Sequence, residues 1–149
     1  MNATYVLIKL LDTLWVNYKK RVPYAAQYQA MVEERGGKVQ NDHIAFRTLN
    51  APCVQPCGVE AIARIFTGLD YKQKDKYLFE DKKLTAWHYE HATDPTYPKI
   101  FISQLEVDKL TPPTATAIKK VIAGIPDLLS VEDQEMLGVL GRGLQIGPE

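Results

Sequence analysis

Residues 41–49 read NDHIAFRTL, and two of their side chains are equipped for chemistry. The imidazole of His43 can bind a metal, and the guanidinium of Arg47 can hold a carboxylate with two parallel hydrogen bonds. The alternation of residue types describes one β-strand. Ile44, Phe46 and Thr48 fall on one face, and His43, Ala45, Arg47 and Leu49 on the other. The first face is core; the second is expected to project His43 and Arg47 to the same side, about 7 Å apart at the Cα. The plainer reading is a solvent-facing strand surface that carries a histidine and an arginine with no task.

The chain has three histidines. The other two, His88 and His91 in WHYEHATD, lie on opposite faces of their strand by parity, so they meet at one metal only if a bulge intervenes. Glu90 shares the face of His88. The H-x-x-H spacing is not H-E-x-x-H and carries no zinc-protease meaning. Of the two, His91 is the stronger candidate for the rim of a site. Ser103 has no His–Asp pattern to activate it, so hydrolase chemistry has no support. The two cysteines, Cys53 and Cys57, make neither a disulfide framework nor a zinc site without further ligands. They are expected to be reduced thiols in a cytoplasmic loop.

These residues need elements to position them. An amphipathic helix is expected over residues 4–19, with Leu7, Leu10, Leu11, Leu14, Trp15 and Tyr18 on one face. A second, from Pro23 to about Arg35, is closed by Gly36-Gly37 and is expected to bury Tyr24, Tyr28, Met31 and Val32. After the 41–49 strand comes a proline-punctuated loop over 50–57, then a short helix over 59–69 facing inward with Val59, Ile62, Ala63, Phe66 and Leu69. Strands follow over 71–79 and 84–91, joined by the polar turn at 80–83, and a last strong strand spans 99–107. The C-terminal third is helical. Pro112 opens a segment to Ala123 with Ile118, Val121 and Ile122 as its apolar stripe. Ser130 and Asp133 then form a capping box for a final helix through Leu140.

A chain of 149 residues suits a single domain, 1–149, with N-terminal helices over 1–37, a β-α-β-β-β module over 41–110 and a helical segment over 111–149. The class is α+β. Lys+Arg 18 balances Asp+Glu 18, without the basic excess that nucleic acid demands. No apolar run reaches the length of a membrane span, and the N-terminus lacks the pattern of a signal peptide.

The β-α-β-β-β order, opened by DHIAFRT and closed by PKIFISQL, resembles a vicinal-oxygen-chelate module. More narrowly, NDHIAFRTL, HYEH and YPKIFISQL resemble the N-terminal half of the 2-oxoadipate dioxygenase/decarboxylase family, also called hydroxyglutarate synthase, over roughly residues 7–110. The resemblance implies an iron(II)- and O2-dependent oxidative decarboxylation of a 2-oxo acid to a 2-hydroxy acid. It implies that His43 is a metal ligand and that Arg47 grips a carboxylate of a small 2-oxo dicarboxylate. Both roles suit the chemistry, since two histidines and one carboxylate leave positions open on iron, and a planar fork fits a carboxylate better than lysine does.

In that family the other histidine and the carboxylate ligand belong to a second, C-terminal module. Glyoxalase-like relatives place a glutamate ligand on the last strand of this one, where the nearest candidate is Gln104, on the face of Ile100, Ile102 and Glu106. The chain by itself is therefore expected to lack two of three metal ligands. An inner sheet face made apolar by Ile100 and Ile102 is expected to be covered by a second copy in a homodimer or by a further module, unless the C-terminal helices of this chain fold back there. Two readings stand: a dioxygenase/decarboxylase-like enzyme completed elsewhere, or a non-catalytic binding module that retains half of the fold.

Overall fold

The computed structural model of the chain describes residues 2–51 and 56–143. Helix α1 spans Ala3–Arg21, and its first turn is closed by Asn2, whose side-chain oxygen accepts the Tyr5 N–H at 3.0 Å. Three cations, Lys19, Lys20 and Arg21, sit in its last turn, where the helix dipole favours them. Leu7 is fully buried, and Leu10, Leu11 and Leu14 pack beside it on the core.

Helix α2 (Pro23–Glu33) begins at the proline, but it buries a different stripe from the one expected. Tyr24, Tyr28 and Met31 are 71%, 54% and 47% exposed, and Ala25 is the buried residue of the helix. The contact with α1 runs through Gln29, which by helical spacing shares a face with Ala25 and with Val32, the one residue of the expected stripe that is not exposed. Gln29 Oε1 accepts from Trp15 Nε1 at 2.9 Å and from Lys19 Nζ at 2.8 Å. A polar clasp on α1 thus turns the aromatic stripe to solvent.

The β-α-β-β-β order is present: β1 (His43–Asn50), α3 (Gly58–Thr67), β2 (Tyr71–Phe79), β3 (Leu84–His91) and β4 (Lys99–Glu106). They form one sheet in the order β1-β4-β3-β2, with β1 parallel to β4 and the other pairs antiparallel. The polar turn between β2 and β3 is a short 3-10 stretch that ends on Lys83 in the left-handed region.

Helix α3 lies against one sheet face. Val59, Ala63 and Phe66 meet Ile100, Ile102, Tyr71 and Tyr89 in the main core, with Ile44 and Phe46 at its edge. The Phe66 ring packs against Phe46 (5.7 Å) and edge-on to Tyr71 (5.5 Å). Ile100 and Ile102, expected to leave an apolar inner face open, are both 0% exposed on this helix-packed side. Helix α4 (Pro112–Ile122) makes a separate small cluster: its Ala115 joins Ala51 and Val107, with Leu49, Ile118 and Ile122 around them. Val121, expected in that stripe, is 76% exposed. Helix α5 (Val131–Leu140) opens with the expected Ser130–Asp133 capping box and delivers Leu137 and Leu140 to the main core. Among the described residues no helix is long and apolar enough to cross a membrane.

Candidate functional site

Strand register assigns the residues of the face opposite α3. His43 stands beside Lys99; Ala45 beside Phe101, and Phe101 beside His88; Arg47 beside Ser103, then Ala86, then Tyr77; and Leu49 beside Leu105, Leu84 and Phe79. Aligned partners on neighbouring strands point the same way, so these positions form the face opposite α3, which the α4 cluster closes at its Leu49 end and which is open elsewhere. His43 and Arg47 therefore share a face, as parity requires. They are four residues apart with Ala45 between them, so their Cα atoms are about 13 Å apart rather than 7 Å.

His43 is exposed, and its Nδ1 lies 3.1 Å from Asp42 Oδ2. Its ring meets Phe101 edge-on at 5.5 Å. Phe101 is in turn stacked on His88 at 5.2 Å, and Tyr77 lies over both rings, 6.1 Å from Phe101 and 5.9 Å from His88. The result is an aromatic band from the edge strand β1 to the edge strand β2. Arg47 makes no ion pair with a carboxylate among the described residues, so its guanidinium is available to an external anion. Beside it, Ser103 Oγ is committed to the Phe46 carbonyl at 3.3 Å, which agrees with its having no nucleophilic role.

Of the two histidines of β3, His88 rather than His91 joins His43 on this face. It is 7% exposed, with Nδ1 3.0 Å from Tyr77 Oη and Nε2 3.4 Å from Glu90 Oε1. Lys99 Nζ reaches the same Glu90 oxygen at 3.4 Å. Desolvation opposes the charge on Glu90, but the hydrogen bonds from His88 and Lys99 outweigh it and hold the carboxyl below its usual range. His91 belongs to the other face. Its ring contacts Tyr97 (4.8 Å) and Tyr71 (5.3 Å), and its Nδ1 accepts the Asp94 N–H at 3.1 Å, which ties down the turn before β4. Burial, with Tyr97 and Asp94 close by, pushes the Tyr71 phenol well above its usual value.

Gln104 is also on the helix-packed side, paired with Thr48 and Thr85, so the structure does not bring it to His43. The reason is register: β4 is aligned with β1 so that its odd-numbered residues accompany His43. Gln104 Oε1 accepts the Val59 N–H at 3.0 Å in the first turn of α3, and its Nε2 donates to Glu106 Oε1 at 2.9 Å. Glu106 also accepts from Asn50 Nδ2 and Thr85 Oγ1, both at 2.7 Å. Desolvation would raise the Glu106 carboxyl, but the donors Asn50, Gln104 and Thr85 prevail and lower it. Gly58 at the helix start has φ +60, and a Cβ there would run into Gln104 Oε1. Cys57 Sγ lies 3.7 Å from Asn50 Oδ1. Cys53 lies outside the described residues.

Parity along β2 alone misplaces Tyr77. Tyr71 and Tyr77 are six residues apart and should share a face, yet Tyr71 is paired with His91 and Tyr77 with Ala86, on opposite sides. A register shift between Gln73 and Lys76 inserts one residue and turns Tyr77 to the open face. The run of Lys72, Gln73, Lys74, Asp75 and Lys76 offers no apolar alternation from which that shift can be read.

A family model described as 2-oxoadipate dioxygenase/decarboxylase matches residues 9–142. The curated 2-oxoadipate dioxygenase/decarboxylase, chloroplastic/amyloplastic, of Oryza sativa subsp. japonica is 33% identical over 115 residues, which are 70% of this chain and 31% of that protein. A solved structure described as a glyoxalase superfamily protein from Ralstonia eutropha JMP134 superposes with a TM-score of 0.84 at 28% identity, covering 89% of this chain and 43% of that one. Hydroxyglutarate synthase from Oryza sativa, solved in complex with 2-oxoadipate, gives a TM-score of 0.76 at 25% identity, over 96% of this chain and 47% of that one. The chain thus spans about a third of the curated relative and under half of either solved structure. The fold is the vicinal-oxygen-chelate type that the strand order implies.

Proposed function

Because the chain belongs to the 2-oxoadipate dioxygenase/decarboxylase family, we propose that its open sheet face binds a small 2-oxo dicarboxylate such as 2-oxoadipate and forms one half of a dioxygenase/decarboxylase site. Arg47 takes one carboxylate of the ligand, and His43 serves as one metal ligand about 13 Å along the same strand. Phe101 forms the apolar wall between them, and Ala45 leaves room above the sheet. The observation that carries this reading is the shared face of His43 and an Arg47 that has no carboxylate partner among the described residues.

A complete iron site does not fit this face. A facial triad needs three protein ligands, and among the described residues no group of three or more His, Cys, Asp or Glu stands close enough to hold a metal. Gln104, the candidate second ligand, is engaged at α3 on the far side of the sheet. The remaining ligands in this reading come from outside the described residues, on a further module or a second copy. The chain's own contribution is to bind and orient: a bidentate guanidinium for the carboxylate and an imidazole held by Asp42 and Phe101.

The incomplete ligand set also favours a second reading, a binding module without turnover. Anaerobic calorimetry with 2-oxoadipate tests what the two readings share. Arg47→Ala is expected to weaken binding roughly tenfold or more, and Arg47→Lys less, because lysine keeps the charge and loses the fork. Equal affinity for wild type and Arg47→Ala removes Arg47 from the site.

A further inference from the structure

The β2 bulge has a chemical consequence. It turns Tyr77 out of the core side and onto the face of His43 and Arg47, where Ala86 beneath it lets the ring lean across β3 to Phe101. Bulges beside functional sites commonly re-aim a side chain in this way. His88 reinforces the placement. Thr85 and His88 are the buried polar side chains among the described residues, and His88 is the one on the open face. A leucine at position 88 could pack on Phe101 with no polar atoms to satisfy. The histidine instead needs partners for both ring nitrogens, and it has them: Tyr77 Oη on one side and Glu90 on the other, with Asp75 Oδ2 3.8 Å from Nδ1.

We propose that Tyr77 is a further ligand-contacting residue of this face and that His88 positions it. The inference rests on the reading of the face as a 2-oxo-dicarboxylate site. A phenol oxygen has one donor and two acceptor positions, and the bond to His88 uses only one of the three. Tyr77 is half-buried, so the oxygen retains capacity toward the open side. His88 Nε2 donates to Glu90, so Nδ1 also carries a proton only in the imidazolium, and Tyr77 is then left to donate to a carboxylate or oxo oxygen. When Nδ1 is bare, Tyr77 donates to it and accepts from a hydroxyl. The pair therefore matches an oxo acid when His88 is charged and a hydroxy acid when it is neutral. Arg47 occupies the same cross-strand row, separated from Tyr77 by Ser103 and Ala86, so two long polar side chains flank a floor of small ones. Glu90 links the pair to Lys99, the register partner of His43.

The test is anaerobic calorimetry of 2-oxoadipate with the full chain as wild type, Tyr77→Phe, His88→Asn, His88→Leu and Arg47→Ala, each with a thermal melt. Tyr77→Phe keeps the ring contacts and is expected to weaken binding roughly fivefold and, by leaving the buried Nδ1 of His88 without its partner, to lower the midpoint by about 2–8 °C. His88→Leu should weaken it to a similar degree, and His88→Asn should recover part of the loss, because an amide can stand in for Nδ1. If His88→Leu fails to fold, Tyr77→Phe decides alone. Wild-type affinity in Tyr77→Phe beside a weakened Arg47→Ala overturns this inference and leaves the function proposed above intact. No effect of Arg47→Ala, or no binding by the wild type, overturns both.

Discussion

The two faces of the sheet use the same strands differently. On the α3 side, Phe66, Tyr71, Ile100 and Ile102 are buried in a shared core, and the polar groups there are satisfied within the protein: Glu106 has three side-chain donors, and Gln104 is fixed to the first turn of α3. On the open side, Arg47 has no carboxylate partner among the described residues, His43 is exposed, and Phe101 has His43, His88 and Tyr77 as ring neighbours. Groups whose interactions close on themselves hold a fold together. Groups left with unused capacity, placed on that rigid support, are where a ligand can gain binding energy.

The contrast makes four predictions. Removing a ring from the closed face should have the largest effect: Phe66→Ala is expected to cost about 3–5 kcal/mol of stability, read as a lower urea midpoint. On the open face, Arg47→Ala should cost about 1.5–3 kcal/mol of 2-oxoadipate binding while stability stays within about 0.5 kcal/mol. A large drop in its melting temperature would show that Arg47 belongs to the fold.

Glu106 lies between these extremes. Its folded carboxyl is held below the ordinary glutamate value of about 4.3, so the stability it contributes is complete above that pH and is lost as pH falls through the lowered folded value. Glu106→Gln should cost about 1–2 kcal/mol at neutral pH and should flatten the acid limb of a melting-temperature profile. An unchanged limb would mean that other carboxylates carry it. The smallest effect is expected on α2, where Tyr28→Ser should change stability by less than about 0.5 kcal/mol, because Tyr28 lies off the α1 contact. A loss of several kcal/mol in denaturant unfolding would return Tyr28 to the core.

Much of the fold was legible in the sequence because each strand carries its own pattern. Residues 71–79 and 84–91 begin and end where expected, and β1 keeps the two faces that its alternation describes. Relations between elements were harder to read. Nothing in β4 alone says whether its even or odd residues accompany His43; that is decided by pairing with β1, and it moved Gln104, Ile100 and Ile102 to the helix side. The stripe of α2 was misread because a polar residue, Gln29, makes the contact that an apolar one was expected to make. The meeting of His88 and Tyr77 is hidden for a related reason. Parity separated His88 from His91 correctly, but the extra residue in β2 that brings Tyr77 to His88 leaves no trace in a run of charged side chains.

The central claim is that this chain's described residues hold half of a site: a carboxylate-binding arginine and one metal-binding histidine. The most direct measurement is oxygen consumption by the purified chain with added iron(II) and 2-oxoadipate, run beside sedimentation to fix its oligomeric state. No turnover is expected from the strictly monomeric 149-residue chain. Turnover by that monomer would contradict it, because the chain would then contain a complete metal site.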